Sequence, residues 1–426
     1  MISARQFVRL ALILGISFRS LSLGIPHPVN LSPPSEPVPQ TYFGLHIHRA
    51  ATTTPWPSVP FGSWRLWDAA VNWLKLQPGR GVWQFVTLDR CVELAEKHQV
   101  KVILTLGRTP QWASARPDEA AGSRRNPAPG GAAPPKNISD WQNYVRTVVT
   151  RYKGRIEAYE IWNEPNLVNY YSGSPEQMVN LAREAYAIIK EVDPAALVVA
   201  PSAVGPTGAA WLDQYFKLGG ASYADIIGYH FYMGAAEPEL VLERIREVQR
   251  VMAKSNINKP LWDTENGCCF PVHKSFDSDR EKSAYVARLY ILDWAAGVGR
   301  LYWYSWDNQE LSIAFTESDD ARTRAAASAY AEIQKWLVGA RLRSCGQNNQ
   351  GIWICQLTRD SGDRAWIVWN PDGRVQFDVP EDWTVNILRE LNGDERTLDR
   401  HAKVNVDFSP VLFEGSNDRT GVTPAH

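Results

Sequence analysis

The sequence predicts an α/β protein with a closed barrel of eight parallel strands and eight helices, followed by an all-β accessory region resembling a sandwich. Short apolar runs alternate with longer amphipathic segments from about residue 43 to 337, the pattern of parallel strands connected by helices. After Ala340 the helical spacing ends, and alternating strands separated by turn residues such as Asn392 and Gly393 follow. The 426 residues can form one barrel-sized core and one smaller unit, because single hydrophobic cores stop growing at about 250–300 residues.

Eight segments have the length and composition of buried strands. Each is a short apolar run bounded by turn or helix-capping residues, and eight such units suit a closed barrel. The predicted strands cover residues 43–48, 63–68, 101–107, 158–163, 197–201, 225–232, 260–265 and 300–306.

The intervening helices have their own start and stop signals. Ser174, Pro175 and Gln177 supply an N-cap, a proline in the first turn and a capping-box partner, and Pro194 ends that helix. A second helix is predicted after Ser139, where aromatic residues and valines recur at helical spacing. Further helices are predicted at residues 238–254, 279–297 and 320–337.

The N-terminus has the layout of a secretory signal. Arg5 and Arg9 precede a short apolar stretch at residues 10–18, too short to cross a bilayer comfortably, and no small-residue cleavage site stands out. We therefore expect a signal peptide or an uncleaved anchor and a secreted, periplasmic or cell-envelope location, with no other stable membrane contact. The predicted organisation is a signal or anchor at 1–24, a Pro-rich linker at 25–40, the barrel at 41–339, the β region at 340–416 and a flexible tail at 417–426.

The charge balance bears on the class of partner. A formal net charge of -1 supplies no basic footprint for nucleic acid or an anionic membrane. Eighteen tryptophans suit a carbohydrate partner, because aromatic faces stack on sugars, although most tryptophans pack in cores. No Cys/His spacing resembles a zinc site. The sequence does not indicate the oligomeric state.

The five cysteines differ in setting. Cys345 and Cys355 flank a hairpin-like stretch and could form a disulfide, whereas Cys91 lies on an apolar helical face and is predicted to be a core thiol. Cys268 and Cys269 are adjacent, and two free or separately paired thiols are favoured over a strained vicinal disulfide.

Two carboxylates end predicted strands of the barrel. Glu164 follows the fourth strand, between Asn163 and Pro165, and Glu265 ends the seventh. Active sites of parallel barrels lie at the carboxyl ends of the strands, so both carboxylates are predicted to reach a common centre. Cleavage of a glycosidic bond needs such a pair, one group to protonate the leaving oxygen and one to attack or stabilise the sugar cation.

The run Trp162-Asn-Glu-Pro165, with a glutamate ending a seventh strand, resembles clan A of the glycoside hydrolases. The segments Phe43-Gly-Leu-His46 and Ser63-Trp-Arg-Leu-Trp67 are similar to bacterial members near family 39, including endoglycosidases that cut secreted exopolysaccharide. The resemblance covers about residues 40–340.

The resemblance implies a retaining mechanism on β-linked poly- or oligosaccharides, with no cofactor. Glu164 would be the acid/base and Glu265 the nucleophile. Asn163 would bind the hydroxyl next to the anomeric carbon, and Arg65 and Tyr232 would donate hydrogen bonds to Glu265.

Other predicted substrate contacts follow from position on the strands. His46 and His230 are expected to face the centre, and Trp303, favoured slightly over Trp306, is expected to form the floor beneath the sugar. Trp112, in the long Pro- and Gly-rich connection at residues 108–137, is either a sugar platform or part of an unstructured insertion. Trp67, Tyr170 and Trp262 are assigned to packing.

Two points about Glu164 follow from simple physics. Strict strand alternation would place Asn163 and Glu164 on opposite faces, so the strand end must twist if both are to reach the centre. The negative charge of Glu265 is expected to raise the pKa of Glu164 and keep that carboxyl protonated.

Two other functions remain open at this point. His46 and His48 could hold a metal in an amidohydrolase-type barrel, with help from His230 and Asp307, although the predicted fifth strand offers no histidine. The barrel could also bind polysaccharide without cleaving it, although both carboxylates are retained.

Overall fold

The structure, a computed structural model, describes residues 29–122, 127–269, 275–317 and 322–415. The predicted signal or anchor at 1–24 and the predicted tail at 417–426 lie outside the described residues. Within the described part of the chain, none of the helices combines the length and hydropathy needed to cross a membrane.

A parallel sheet of nine segments forms the barrel and confirms the predicted fold class. All eight predicted strand regions contribute to it, and a ninth segment follows the predicted fifth strand at residues 203–204, beyond its predicted end. In chain order the segments are β2 (Phe43–Leu45), β3 (Ser63–Leu66), β4 (Lys101–Thr105), β5 (Ala158–Glu160), β6 (Leu197–Val199), β7 (Ala203–Val204), β8 (Ile227–His230), β9 (Leu261–Asn266) and β10 (Val298–Trp303); β1 lies outside the barrel and is described below.

The short segments β6 and β7 act together as the fifth strand. β6 pairs with β5, and β7 pairs with β8, while single bridges join Asn163 to Ser202 and Val199 to Ile226. Pro201 lies between the two segments and removes a backbone donor from the ladder. The single bridges still connect the strands on either side of the break, and the break leaves the Ser202 carbonyl available to the residues that follow β5.

Side chains alternate between the barrel interior and the layer beneath the helices. One small buried cluster fills the lower interior and includes Ile103, Ala158, Trp262 and Tyr302. The neighbouring strand positions face outward and pack with the helices in the main core. The α-helices are α1 (Trp73–Leu76), α2 (Val86–Lys97), α3 (Ile138–Arg151), α4 (Pro175–Val192), α5 (Gly205–Lys217), α6 (Val241–Lys254), α7 (Asp279–Ala295) and α8 (Ala325–Leu337), and short 3₁₀ turns lie at Gln40–Tyr42, Gln111–Ala113, Gly220–Tyr223 and Pro238–Leu240.

The capping box predicted for α4 is present. The Ser174 hydroxyl accepts a hydrogen bond from the Gln177 backbone N–H at 3.3 Å, and the Gln177 side chain accepts one from the Ser174 N–H at 2.9 Å. These bonds satisfy donors that the first helical turn would otherwise leave unpaired.

Antiparallel strands follow the barrel, and one segment of the predicted linker joins them. β1 (Val29–Leu31) pairs with the first C-terminal strand, so this part of residues 25–40 is a sheet strand and not an extended tether. The C-terminal strands are β11 (Arg341–Gln347), β12 (Trp353–Thr358), β13 (Arg364–Trp369), β14 (Val375–Asp378), β15 (Ile387–Arg389), β16 (Glu395–Thr397), β17 (Lys403–Val406) and β18 (Val411–Glu414). β1 and six of these strands form one sheet in the order β1-β11-β12-β13-β18-β15-β16, and β14 pairs with β17.

Two disulfides are present. Cys345 and Cys355 lie directly opposite each other on β11 and β12 and are bonded, as the spacing suggested. Cys268 and Cys269 form a vicinal disulfide, so the preference for free or separately paired thiols was wrong. The two cysteines are adjacent in sequence, and both are fully buried. Cys91 is a buried free thiol, and burial raises its pKa to about 12.

A buried ion pair connects the C-terminal sheet to the barrel. Arg288, on α7, donates to both carboxylate oxygens of Glu239 at 3.1 Å, and the Trp369 indole N–H of β13 donates to the same carboxylate at 2.9 Å. The other guanidinium nitrogen of Arg288 contacts Glu237, whose side chain is half exposed. The sheet therefore completes the hydrogen bonding of a charge buried against the barrel.

We predict that Glu239→Ala lowers the free energy of unfolding by about 3–5 kcal/mol, because it leaves Arg288 buried without its main partner. The matched control is Glu237→Ala, which removes an exposed partner of the same arginine and should cost less than about 1 kcal/mol. Urea unfolding of both variants measures the difference, and equal losses would contradict the role given to Glu239.

Candidate active site

The Arg65 side chain lies at the centre of the carboxyl end of the barrel. It is fully buried on β3 and donates hydrogen bonds to Glu160 at 2.8 Å, to Glu265 at 2.7 Å and to Asn163 at 2.7 Å. Burial opposes its charge, but the negative charges of Glu160 and Glu265 outweigh burial and raise its pKa. One cation therefore joins residues of three barrel strands.

Glu160 balances this cation from inside the barrel. Its carboxylate also accepts hydrogen bonds from the hydroxyls of Thr105 and Ser202. Burial alone would raise the pKa of Glu160, but Arg65 and these donors lower it. Glu160 is therefore a structural anion.

Glu164 reaches the same centre because its backbone leaves the strand conformation. Its φ of 47° is in the left-handed region, which non-glycine residues rarely adopt. Its N–H donates to the Ser202 carbonyl at 2.8 Å, in the break between β6 and β7. The turn places both Asn163 and Glu164 toward the interior, which resolves the conflict with strict alternation.

Burial dominates the ionisation of Glu164. It raises the pKa of this carboxyl to about 8, with Arg65 opposing and the charges of Asp68 and Glu160 adding to the rise. The expectation that the charge of Glu265 would cause this rise was wrong. The Glu265 carboxylate is paired with Arg65, and the positive charge of Arg65 lowers the pKa of Glu164.

The imidazole of His230 contacts the Glu164 carboxyl. Its Nδ1 lies 3.0 Å from Glu164 Oε1, and burial lowers the pKa of His230 to about 4. Near neutral pH the imidazole is uncharged and Glu164 is protonated, so the carboxyl donates to Nδ1 and the imidazole proton resides on Nε2. His230 thus faces the centre, as its position on β8 indicated.

Glu265 reaches the centre through an irregularity in β9. Leu301 of β10 pairs with Asp263 of β9, and Trp303 pairs with Asn266, so two steps along β10 correspond to three along β9. The extra residue is a β-bulge, which re-aims side chains. Glu265 accepts hydrogen bonds from Tyr232 at 3.1 Å and from Arg65, the two donors expected for it.

The two glutamates are close together. One carboxylate oxygen of Glu164, one of Glu265 and a ring nitrogen of His230 all lie within 4.8 Å of one another. Both glutamates are largely buried, yet each keeps a small exposed fraction of 7–8%. A proton donor and a stabilised carboxylate therefore face the same small space.

The two histidines of the first strand region share Asp68, which lies 3.3 Å from His46 and 3.9 Å from His48, and His48 has Asp307 as a second and closer partner. His46 contacts Asp68 at 3.3 Å and the Thr264 carbonyl at 3.1 Å. His48 contacts Asp307 at 2.9 Å and the Tyr304 hydroxyl. The charges of Asp307 and Asp68 raise the pKa of His48 against the effect of burial.

The groups that could hold a metal do not match the amidohydrolase arrangement. Among the described residues, one such group joins His46, Asp68 and Glu265, and another joins Glu164, His230 and Glu265. Neither contains His48, which was to pair with His46. Glu265, common to both groups, already forms an ion pair with a buried arginine.

The predicted tryptophan floor, Trp303 or else Trp306, is wrong. Trp303 is fully buried outside the barrel and stacks on Phe315 at 5.2 Å, because it shares strand parity with the outward-facing Leu301. Tyr304 lies at the site instead, 5.3 Å from the His46 ring, and Trp306 is also buried in the core.

Trp112 is engaged by the surrounding loop. Its indole N–H donates to the Gln77 carbonyl at 2.8 Å, its ring packs edge-on against Trp73, and the Arg80 guanidinium covers one ring face at 4.7 Å. These contacts hold the ring in the outer core, so the sugar-platform interpretation is not supported.

Sequence reasoning missed several polar residues of the site. Glu160, Thr105 and Ser202 surround Arg65, and Asp68 contacts both histidines. A glutamate inside an apolar strand, and an aspartate ending one, are signals that could have identified Glu160 and Asp68. Ser202 has no such signal, because its role arises from the break in the fifth strand.

Known protein families match parts of the chain. The model described as glycosyl hydrolase catalytic core matches residues 134–330, and the model of glycosyl hydrolase family 10 matches residues 67–190. A β-xylosidase of Geobacillus stearothermophilus is 26% identical over 188 residues. That alignment covers 38% of this chain and 37% of the relative's length.

Solved structures of glycoside hydrolases share the fold. A family 39 glycoside hydrolase from Bacteroides cellulosilyticus has a TM-score of 0.68 at 18% identity, covering 89% of this chain and 81% of the other. A β-xylosidase from Caulobacter crescentus has a TM-score of 0.62 at 16% identity, and a family 30 endoxylanase from Clostridium papyrosolvens one of 0.63 at 13%; each alignment covers 91% of this chain and 98% of the other. The resemblance to clan A of the glycoside hydrolases is thereby confirmed.

We predict that Glu164→Gln stabilises the protein increasingly as the pH rises. A carboxyl with a pKa of 4.5 in the unfolded chain and about 8 in the fold holds a proton that the unfolded chain has lost. Its contribution to stability is therefore fully present below about pH 4.5 and is lost as the pH rises through 8. Relative to wild type, the variant should gain about 4–5 kcal/mol at pH 8.5 and only about 1 kcal/mol at pH 5.

Urea unfolding at the two pH values measures this gain. The exposed Glu93→Gln is the control, with a pH-dependent change below about 0.5 kcal/mol. A gain for Glu164→Gln that is the same at both pH values would show that the carboxyl is not protonated in the fold.

Proposed function

We propose that this protein is a retaining glycoside hydrolase that cleaves β-glycosidic bonds of poly- or oligosaccharides. The observation that carries the proposal is the approach of the Glu164 and Glu265 carboxylates to within 4.8 Å. Retaining enzymes hold their carboxyl groups about 5–5.5 Å apart, whereas inverting enzymes need roughly 6.5–9.5 Å to admit a water molecule. The spacing favours direct attack by one carboxylate.

The surroundings assign opposite roles to the two glutamates. Glu164 is the acid, because its pKa of about 8 keeps it protonated near neutral pH. Glu265 is the nucleophile, because Arg65 and Tyr232 donate to its oxygens and stabilise the carboxylate.

The reaction then follows in two displacements. Glu265 attacks the anomeric carbon while Glu164 gives its proton to the glycosidic oxygen, so the bond to the leaving sugar breaks and a glycosyl ester forms. Glu164, now ionised, takes a proton from a water molecule that attacks the same carbon, and the ester bond breaks. Two inversions restore the original anomeric configuration and both starting protonation states.

Neighbouring groups position the sugar in this scheme. The side-chain oxygen of Asn163 (Oδ1) accepts a hydrogen bond from Arg65, so the side-chain N–H groups of Asn163 are left to bind the hydroxyl next to the anomeric carbon. Tyr304 takes the place expected for a tryptophan beneath the sugar, and His46 is the substrate contact of the first strand. His230 holds the acid in place and is a positioning residue.

β-Linked xylosides are the first substrates to assay, because relatives with this fold are named β-xylosidases and xylanases. The metal-dependent alternative lacks supporting geometry, because neither group of described residues that could hold a metal contains His48 together with His46. A purely binding barrel would not need a carboxyl with a raised pKa beside a stabilised carboxylate. Export stays a prediction from residues 1–24, and the β region is proposed to support the barrel through Trp369.

We predict that kcat/KM falls as the pH rises through about 8, because deprotonated Glu164 cannot protonate the leaving group. Glu164→Gln should lower kcat/KM on an unactivated glycan by about 10²–10⁴-fold and remove this alkaline limb. Aryl glycosides with good leaving groups should lose far less in the first step. Undiminished glycan turnover by the variant would exclude Glu164 as the acid, and Glu184→Gln on α4 is the matched control.

We predict that a 2-deoxy-2-fluoro glycoside inactivates the enzyme by labelling Glu265. The fluorine slows hydrolysis of the glycosyl ester, so the intermediate accumulates and can be found by peptide mass spectrometry. Proton NMR of the first product should show the β anomer. Label on another residue, or an initial α anomer, would contradict the retaining mechanism.

A further inference from the structure

Arg108 is a cation at the rim of the candidate site whose donors are unused. It follows Gly107 at the carboxyl end of β4, and its guanidinium lies over the rings of Trp67 at 5.5 Å and Tyr170 at 5.6 Å. Within the described part of the chain, its side chain has no ion pair or hydrogen bond. Stacking on aromatic faces holds a guanidinium while leaving its in-plane N–H groups free to donate.

The backbone holds Arg108 in an unusual conformation. Its φ of 56° is left-handed and follows a φ of 135° at Gly107. The carbonyls of both residues accept hydrogen bonds from the start of α1, from Trp73 at 3.0 Å and from Leu74 at 3.1 Å. Such strain at a non-glycine residue is concentrated at binding sites, where the surrounding structure imposes it.

Arg108 lies at the same end of the barrel as the two glutamates. Trp67, beneath its guanidinium, follows Arg65 by two residues, and the Trp67 ring lies 6.4 Å from that of Tyr170. Burial raises the pKa of Tyr170, the charges of Glu164 and Glu265 raise it further, and the charge of Arg108 lowers it, in keeping with this placement.

The other arginines of the site are already occupied. Arg65 uses its donors on Glu160, Glu265 and Asn163, and Arg49 is bonded to Asp307. The carboxylate of Asp68, which contacts His46 at the site, would repel an acidic glycan. A cation with free donors offsets that repulsion.

We propose that Arg108 binds an anionic substituent of the glycan, so that the enzyme selects acidic polysaccharides. This inference rests on the proposed glycosidase function and deepens it. A planar carboxylate of a uronic acid fits the guanidinium in a bidentate contact, and a sulfate ester offers the same chemistry. Trp67 and Tyr170, predicted to be packing residues, hold the guanidinium in position for that contact.

The test measures binding separately from cleavage. The Glu265→Gln variant, with and without Arg108→Gln, is titrated calorimetrically with oligosaccharides from uronate-containing and sulfated polysaccharides. Each is paired with its carboxyl-reduced or desulfated form. With Arg108 present, at least one acidic oligosaccharide should bind about tenfold to a hundredfold more tightly than its neutral counterpart. Arg108→Gln should abolish that preference and leave affinity for the neutral form unchanged.

Three outcomes would overturn the inference. The first is that no acidic oligosaccharide binds better than its neutral form, and the second is that the Arg108→Gln variant keeps the preference. The third is that the substitution weakens binding of both forms equally, as it would if Arg108 had only a structural role. The conservative Arg108→Lys variant should retain part of the preference for the charge. Because these measurements use a variant without the nucleophile, absence of hydrolysis by wild-type protein would refute the glycosidase proposal alone. A preference for sulfated or for uronate forms identifies the anionic group.

Discussion

The ionic network of Arg65 is the constraint on which the rest of the site depends. A fully buried guanidinium must be paired, and its partners are Glu160 on β5, Asn163 three residues beyond the end of β5, and Glu265 on β9. Because Arg65 needs all three contacts at once, it fixes the strand ends relative to one another. The position of Glu265 follows from this network, and so does that of Asn163 next to Glu164.

Both glutamates reach the centre through a departure from regular strand geometry. Glu164 turns inward through its left-handed backbone, and Glu265 through the bulge between β9 and β10. In a regular strand, the residue beside an inward-facing one points into the helix layer. The break in the fifth strand supplies the Ser202 carbonyl that holds the first of these departures. Local irregularity is therefore a requirement of the site.

The same buried environment gives neighbouring carboxyls opposite character. Glu160 and Glu164 are only four residues apart, yet the pKa of Glu160 is lowered and that of Glu164 is raised to about 8. The difference lies in the donors: Glu160 accepts hydrogen bonds from Arg65 and two hydroxyls, whereas the Glu164 carboxyl is hydrogen-bonded to the uncharged imidazole of His230. Burial penalises both anions, and hydrogen bonding decides which one remains ionised.

The sequence by itself determined the architecture and the main pair of carboxylates. Alternating strand and helix patterns are local properties, so the eight strand regions and the β region after residue 340 were predictable. The local sequence was enough to identify Asn163-Glu164-Pro165 and Glu265, because it shows both the motif and the ends of the strands. Only the tertiary structure decided that Tyr304, and not Trp303, lies at the site, that Glu160 and Ser202 surround Arg65, and that Arg108 has free donors. These properties depend on strand parity, bulges and contacts between residues far apart in sequence, which no local pattern encodes.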